Sequence, residues 1–592
     1  MKKIYSKLIL FASVGLFSAC DDFLDIEPVD RIMDSGVWGD ASSIKFYVND
    51  VYHSINGPLY IWSSRAGRDN IGGAPAIFDN FMTGDLWYNA GNLYTYSQWN
   101  KSTNLNAIIR WTDCYNNIYK VNNAIVGLTS SEVLSEENRS RYLGDMYFWR
   151  AMLYFELFRF YGKVPIVDHV QNRHEEDIFL ERNSEQEVVN FVIGDFDKAI
   201  SLLPKDIPAA ELGRVTKGAA IGMLSTAYLY FAGVLPDVAG VDGKEYFRKA
   251  YETAEIFITG ELKGKYGLFG KNAADKAQAY HDLFDAVNEY NEEVIFDIQF
   301  IDDGVGVSGT ERRGHDLMGV SHMGSYGQNT DGSYGGWGRN NPTQNLVDEF
   351  RMADGSPFDW DNPEHAAHPY ANREPRFYAS ILYSGSPWRG DIVYASTNMP
   401  NAAGTTLVNN TTMKRGTNSY TQTGYYLKKL IDPTKRGGTP NRYAPYEGSD
   451  QNLIVLRYAE ILLTYAEAKN EYSGPDASIY AAINDVRDRG GLPPVSGLSQ
   501  NDLRELIRTE RHIELCFENK RYFDIMRWRK GAEIIGKDVY GIDVTYEMIE
   551  GVPTPAYTKV RLAIKSFESP KNYLMPVPDG ITGRNPNLLP NN

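Results

Sequence analysis

Hydrophobic residues along this chain recur mostly at helical spacing. The clearest run is Leu456 to Gly491, LRYAEILLTYAEAKNEYSGPDASIYAAINDVRDRGG, where Tyr458, Ile461, Leu462 and Tyr465 fall at i, i+3, i+4 and i+7. Ala459 and Ala466 stand seven apart, and small residues there let a second helix approach closely. Ser473, Gly474 and Pro475 end the first helix, and Ile479, Ala482, Ile483 and Val486 repeat the spacing up to Gly490 and Gly491. The segment reads as an antiparallel helix pair of tetratricopeptide length, about 34 residues. Neither helix buries its apolar face alone, so the pair requires neighbours to stack on.

The same period appears earlier. Trp111 to Ile125 is amphipathic, and Arg141 to Phe160 sets Leu143, Tyr147, Ala151, Tyr154 and Phe158 on one stripe that Gly162 and Pro165 terminate. Ser184 to Leu203 aligns Val188, Val192, Phe196, Ala199 and Leu203, and a further pair spans Thr216 to Phe231 and Tyr246 to Thr259. Glu293 to Phe300 alternates as a strand does. From Ile301 to Arg442 the chain is rich in Gly, Asn, Ser, Thr and Tyr, which predicts a loop-rich insertion containing short strands. Asp502 to Arg529 is expected as one helix, with Ser499 and Asp502 as a capping box. From Gly531 the chain reads as irregular and Pro-rich, and Asp21 to Gly39 as a tether. The expected fold is mostly α, with tetratricopeptide-like helical hairpins forming a scaffold for the insertion.

Composition adds two points. With 40 Tyr and 10 Trp, the aromatic content of 13% exceeds what a core alone absorbs, so some rings are available for ligand contact. The formal net charge is −16, and removal of residues 1–19, which hold three lysines and no acid, takes it to −19. Such a net charge argues against nucleic acid and anionic membrane as partners.

Lys2, Lys3 and Lys7 precede the apolar run Leu8 to Phe17, which is too short to span a bilayer and reads as a signal peptide. The following Leu16-Phe17-Ser18-Ala19-Cys20 resembles a lipobox, in which Cys20 becomes the lipidated first residue of the mature chain. Cys114 and Cys516 sit in apolar helical settings and read as buried thiols, with a disulfide between them as the alternative.

Catalytic signals are weak. Gly304-Val305-Gly306-Val307-Ser308-Gly309 matches GxGxxG, but no amphipathic helix follows it. His365 and His368 are spaced as a metal pair without an evident third ligand, so no metal or other cofactor is expected. Glu460 and Glu467 share a helix face, as do Glu510, Glu514 and Glu518, with Arg457, Arg487, Arg511, Arg521 and Arg527 as available partners. A catalytic carboxylate pair is one use of such residues. Salt bridges between stacked helices are the commoner one.

Binding signals are stronger. Trp87, Tyr88, Tyr94, Tyr96 and Trp99 crowd the stretch 84–100, Tyr326, Tyr334 and Trp337 lie in 324–338, and Trp388 stands in a third loop. Glycines beside these rings leave their faces open, and sugar rings stack on such faces while their hydroxyls take Asn, Asp and Arg partners. Trp87, Trp99, Tyr334 and Trp337 are the expected stacking residues, with Asp69 and Asn100 as polar partners.

Several segments together resemble the SusD/RagB family of Bacteroidetes outer-membrane lipoproteins. They are GDMYFWRAMLYFELFRFYGKVPIV (144–167), GRVTKGAAIGMLSTAYLY (213–230), PTQNLVDEFRMADG (342–355), REPRF (373–377), LRYAEILLTYAEAKNE (456–471), INDVRDRGGL (483–492), IRTERHIELCFENKRYFDIMRW (507–528), YLMPVP (573–578) and NPNL (585–588). The closing Leu589-Pro590-Asn591-Asn592 departs from the family's usual tail. Asp21 and Asp22 after Cys20 resemble the family's surface-export signal. The resemblance implies a non-catalytic, cell-surface glycan-binding lipoprotein that passes oligosaccharides to a SusC-like TonB-dependent outer-membrane transporter. Capture of peptides or glycopeptides is the variant within the family, and a glycoside hydrolase the alternative of another class. The implied division is a signal peptide over 1–19, a lipidated tether over 20–41, an N-terminal helical region over 42–290, a ligand-binding insertion over 291–450 and a C-terminal helical region over 451–592.

Overall fold

In the computed structural model, residues 34–60, 83–87, 111–172, 178–237, 241–300, 340–409, 421–433 and 451–589 are described. The N-terminal half contributes α1 (Asp34–Trp38), α2 (Ala41–Tyr60), α3 (Trp111–Ser130), α4 (Glu136–Tyr161), α5 (Glu185–Leu202), α6 (Lys217–Val234), α7 (Gly243–Ile258) and α8 (Lys276–Asp282). The periodic runs therefore form helices where the spacing predicts them. Their starts are set by capping side chains. Ser184 and Glu187 form a reciprocal capping box at α5, and the Thr216 hydroxyl accepts from the Ala219 amide at α6. Helix α1 corrects the reading of residues up to Gly39 as a tether, since the end of that stretch is helical and Trp38 packs over Gly127 of α3.

The chain leaves the scaffold through β2 (Val294–Ile298) and returns through β10 (Leu453–Arg457), which pair antiparallel with Leu453 opposite Ile298 and Arg457 opposite Val294. The insertion is thus held at both ends by one two-stranded ladder. It contains α9 (Gln344–Glu349), α10 (Pro363–Ala367), α11 (Pro375–Ser380) and the short strands β3 (Asn341–Pro342), β4 (Ile381–Tyr383), β5 (Pro387–Trp388), β6 (Asp391–Ile392), β7 (Asn398–Pro400), β8 (Leu407–Asn409) and β9 (Tyr425–Leu427). Its core is separate from that of the helices. Leu346, Phe350, Phe377, Tyr425, Tyr426, Phe517, Ile542 and Val544 cluster there. The helical core gathers Trp149, Phe155, Phe231, Leu463 and Ile483.

After β10 come α12 (Tyr458–Ser473), α13 (Ala477–Arg489), α14 (Gln500–Glu514) and α15 (Arg521–Arg527). Gly474 caps α12 at φ 81°, a left-handed conformation that glycine adopts without strain. Ala459 and Ala466 are wholly buried where α12 packs against α7 and α14. We expect Ala466→Leu to destabilise the protein by about 1–3 kcal/mol through overpacking, read as a lower urea midpoint. An unchanged midpoint would show that the site has room.

Two expectations fail in this half. The run Asp502 to Arg529 is not one helix, because the chain leaves helical geometry between α14 and α15, with Phe517 and Asn519 at φ 65° and 57°. The segment after Gly531 is not irregular either. β11 (Val539–Ile549) and β12 (Val552–Ala563) form the longest ladder among the described residues, turning at Glu550 and Gly551 with φ of 51° and 82°. Positive φ at both turn residues is the primed geometry whose twist matches paired strands. Pro553 and Pro555 are tolerated because β12 has an open edge.

Asp297 in β2 is buried and receives one hydrogen bond, from Asn452 Nδ2 at 2.9 Å. Burial pushes its carboxyl up to about 6. A folded-state value above the unfolded one means that ionisation opposes folding, and the penalty develops between about pH 4 and pH 6 and is complete above. Asp297→Asn should therefore stabilise the protein at pH 7 by about 2 kcal/mol and lose that advantage toward pH 4, as thermal melts across this range would show.

Candidate functional site

Of the residues expected to bind ligand, Trp87 falls within the described part of the chain. Asp69, Trp99, Asn100, Tyr334 and Trp337, and the lipidation candidate Cys20, lie outside it, as does the GxGxxG segment. Trp87 is half-buried and ends β1 (Leu86–Trp87). β1 pairs antiparallel with β3, Leu86 opposite Pro342 and Trp87 opposite Asn341. The ladder fastens the start of the first aromatic-rich stretch to the residues that directly follow the second.

Several buried contacts fix that ladder. The Thr343 amide donates to the Asp85 carbonyl at 2.9 Å, and the Thr343 hydroxyl to the Gly84 carbonyl at 2.7 Å. His512 Nε2 lies 3.0 Å from Asp85 Oδ2, tying the strand to the end of α14. Burial alone would push the Asp85 carboxyl up, but the imidazole beside it holds it below its ordinary range. Burial pushes the neighbouring Lys565 down to about 8. On the other side, Asn341 Oδ1 accepts from the Gln422 amide at 3.1 Å, and the Ile542 amide donates to the Thr423 carbonyl at 2.7 Å. Gly424 is required here. It has φ 88°, and a Cβ on it would sit 2.4 Å from the Ile542 carbonyl oxygen. Segments from four parts of the chain, 83–87, 341–345, 421–427 and the β11–β12 hairpin, thus frame one face.

Trp388 does not belong to that face. It is 5% exposed and packs edge-on to His281, with ring centroids 6.2 Å apart. A ring that the sequence reading passed over is Trp360, which is partly exposed. Its Nε1 donates to Asp348 Oδ1 at 2.9 Å, and Lys559 Nζ donates to Asp348 Oδ2 at 2.9 Å. An aromatic ring beside a carboxylate and an ammonium offers both a stacking surface and partners for hydroxyls. The spacing of these three residues in sequence gave no signal for it.

The carboxylates on helix faces serve structure. Arg457, wholly buried, binds Glu293 Oε1 and Glu514 Oε1 at 2.6 Å each and Glu518 Oε2 at 2.7 Å. Arg376 binds Glu374 at 2.6 Å, Glu510 at 2.6 Å and Glu514 at 2.9 Å, and Arg489 binds Glu293 at 2.8 Å and Glu514. Burial opposes ionisation of Glu514, but the guanidinium groups of Arg489, Arg457 and Arg376 hold it well below the usual carboxylate range. Glu467 pairs with Arg527 and accepts from Trp528 Nε1 at 2.6 Å, while Glu460 pairs with Lys520 at 2.7 Å. Each carboxylate faces cations inside the protein rather than a cleft, as expected of salt bridges between stacked helices. The His365 ring stacks on Phe358 and its Nδ1 accepts from the Asp359 amide at 3.2 Å. Cys114 and Cys516 are both buried free thiols, lodged in different cores.

One titratable group lies apart from these networks. His281, Asp282 and Asp285 present nitrogen and oxygen atoms all within 4.8 Å of one another. Burial, and then the charges of Asp432 and Asp282, push Asp285 up to about 7, while burial and Lys428 push His281 down to about 4.

Comparison with known proteins decides the family. The family model described as "SusD family" matches residues 292–592, more than half of the chain. The chain belongs to the SusD family. A second model, described as "Starch-binding associating with outer membrane", matches residues 23–229. The SusD-like protein P2 of Formosa agariphila is 26% identical over 498 residues, covering 81% of this chain and 79% of that protein. A crystal structure of a SusD-like protein from Bacteroides fragilis is similar with TM-score 0.72 at 28% identity, covering 95% of this chain and 99% of that one. A SusD-like carbohydrate binding protein from the same species shares the fold with TM-score 0.73 at 23% identity, over 93% and 100% of the two chains. No described helix is long and apolar enough to cross a membrane.

Proposed function

We propose that this SusD-family protein is a non-catalytic glycan-binding lipoprotein of the outer-membrane surface, anchored through Cys20. It captures oligosaccharides or polysaccharides and delivers them to a TonB-dependent SusC-like transporter, on which it sits as a lid. The observation that supports capture is the β1–β3 ladder, which pairs Trp87, at the start of one Gly- and aromatic-rich stretch of the sequence, with Asn341, just after the other. The match of residues 23–229 to a starch-binding, outer-membrane-associating model points the same way. The helix-face glutamates are paired internally with arginines and do not supply the carboxylate pair a glycosidase requires. The insertion over 291–450 is the ligand-binding part in this reading, which the β2–β10 ladder at its two ends supports.

Affinity electrophoresis of the purified protein in gels cast with a panel of polysaccharides tests capture. Retarded migration in at least one gel is expected, and unretarded migration in all, with retention on peptides instead, would replace glycans with peptides as the ligand. Co-purification from outer membranes in mild detergent tests delivery. A β-barrel transporter should accompany the protein, and recovery of the protein alone would refute the lid.

A further inference from the structure

We infer that His281, Asp282 and Asp285 form a binding site for a single divalent metal ion of the zinc class, at the end of α8. His281 is 3% exposed, and neither ring nitrogen makes a hydrogen bond of normal geometry, although the carbonyls of Lys428 and Ile431 lie beside the ring. A buried imidazole with both nitrogens unsatisfied is costly unless something binds it. Its Nδ1 lies 3.8 Å from Asp285 Oδ1, a buried oxygen that also lacks a hydrogen-bond partner. That separation is too long for a hydrogen bond. It is close to the gap between two ligands bound to one ion at about 2.0–2.2 Å each.

Local backbone holds the set in place. Histidine and the two aspartates occupy positions i, i+1 and i+4 where α8 ends, and the Asp285 amide donates to the Asp282 carbonyl at 3.1 Å, turning the Asp285 side chain back toward the ring. Gln278 Nε2 engages Asp282 Oδ1 at 2.6 Å, leaving the second oxygen for a ligand bond. The carbonyls of Lys428 and Ile431 face the imidazole from the segment after β9, and buried Asp432 follows them. Lys428, whose charge acts on the imidazole, directs its ammonium to the Tyr378 carbonyl at 2.8 Å. The two carboxylates beside the imidazole give a charge suited to a divalent ion.

The donor set selects the metal. Calcium takes six to eight oxygens and would leave the imidazole unsatisfied. A neutral histidine with two carboxylates suits zinc and its first-row neighbours. The ion would sit at the end of α8, beside the segment 428–432 that follows β9.

The test is calorimetric titration of the chelator-stripped, full-length protein with Zn2+ alone and with Ca2+ alone, alongside melting curves. One Zn2+ per chain and a raised melting temperature are expected, with affinity falling at least about tenfold in both His281→Ala and Asp285→Asn. Asp285→Asn keeps the shape of the side chain and serves if His281→Ala does not fold. Absence of zinc binding, zinc binding unchanged in the folded variants, or calcium binding indifferent to His281→Ala would each overturn the site.

Discussion

Arg457→Met should destabilise the protein by about 3–5 kcal/mol at pH 7, the cost of stranding charges in the interior. The guanidinium touches Glu293, Glu514 and Glu518 and also donates through Nη2 to the Glu514 carbonyl at 2.7 Å. Around it Arg376, Lys429, Arg487 and Arg489 pair with the same carboxylates and with Glu374 and Glu510, so that cations and anions balance. Methionine matches much of the volume but none of the charge, leaving one carboxylate uncompensated. The exposed pair Lys120–Asp50, at 38% and 58% side-chain exposure, is the control, and Lys120→Met should change stability by no more than about 1 kcal/mol.

Acidity discriminates further. Glu514 and Glu518 are held below their ordinary range, so in the native protein their contribution is present above about pH 4.5 and is lost as the pH falls further. In Arg457→Met the stranded carboxylate gains relief by protonation, so its deficit against the native protein should shrink on acidification. Urea midpoints for the three proteins at pH 7 and pH 5 measure both effects. Equal midpoints for Arg457→Met and Lys120→Met would show that the buried network does not hold the two cores together.

The second large effect is on binding. Trp87→Ala, Trp99→Ala and Trp337→Ala should each weaken glycan affinity by roughly 5- to 150-fold, the equivalent of about 1–3 kcal/mol for one lost stacking ring. Unfolding midpoints should hardly move, since Trp87 is only half-buried at the end of a two-residue strand. Trp388→Ala provides the contrast. Its ring is buried against His281, so truncation should cost about 3–5 kcal/mol of stability, through the core rather than through ligand contact. Calorimetric titration paired with urea melts separates the two kinds of tryptophan. Intact affinity in Trp99→Ala and Trp337→Ala would move the site elsewhere, with Trp360 the next ring to vary.

The helical scaffold was legible because its apolar residues keep a 3.6-residue period and its ends carry Ser184, Thr216 and Gly474 at the positions that capping requires. The β11–β12 hairpin was missed for a physical reason. Residues 539–549 do alternate, but Pro553 and Pro555 argued against a strand, and only the open edge of β12 makes them acceptable. The break between α14 and α15 depends on Phe517 and Asn519 in left-handed geometry, which neither residue type announces. At the candidate site the sequence supplied the aromatic stretches but could not show that β1 and β3 pair. That contact spans more than 250 residues. The His281–Asp282–Asp285 spacing was visible in principle, yet two aspartates and a histidine near a helix end are common, and it is the burial of His281 that sets them apart.

The most direct test of the central proposal, capture without cleavage, is one sample measured twice. The protein is titrated calorimetrically with the polysaccharide that retards it in gels, and the recovered glycan is then sized by chromatography after prolonged incubation. The proposal predicts saturable heat and a glycan of unchanged length. Saturable heat with progressive release of shorter oligosaccharides would contradict it and make the protein a glycosidase.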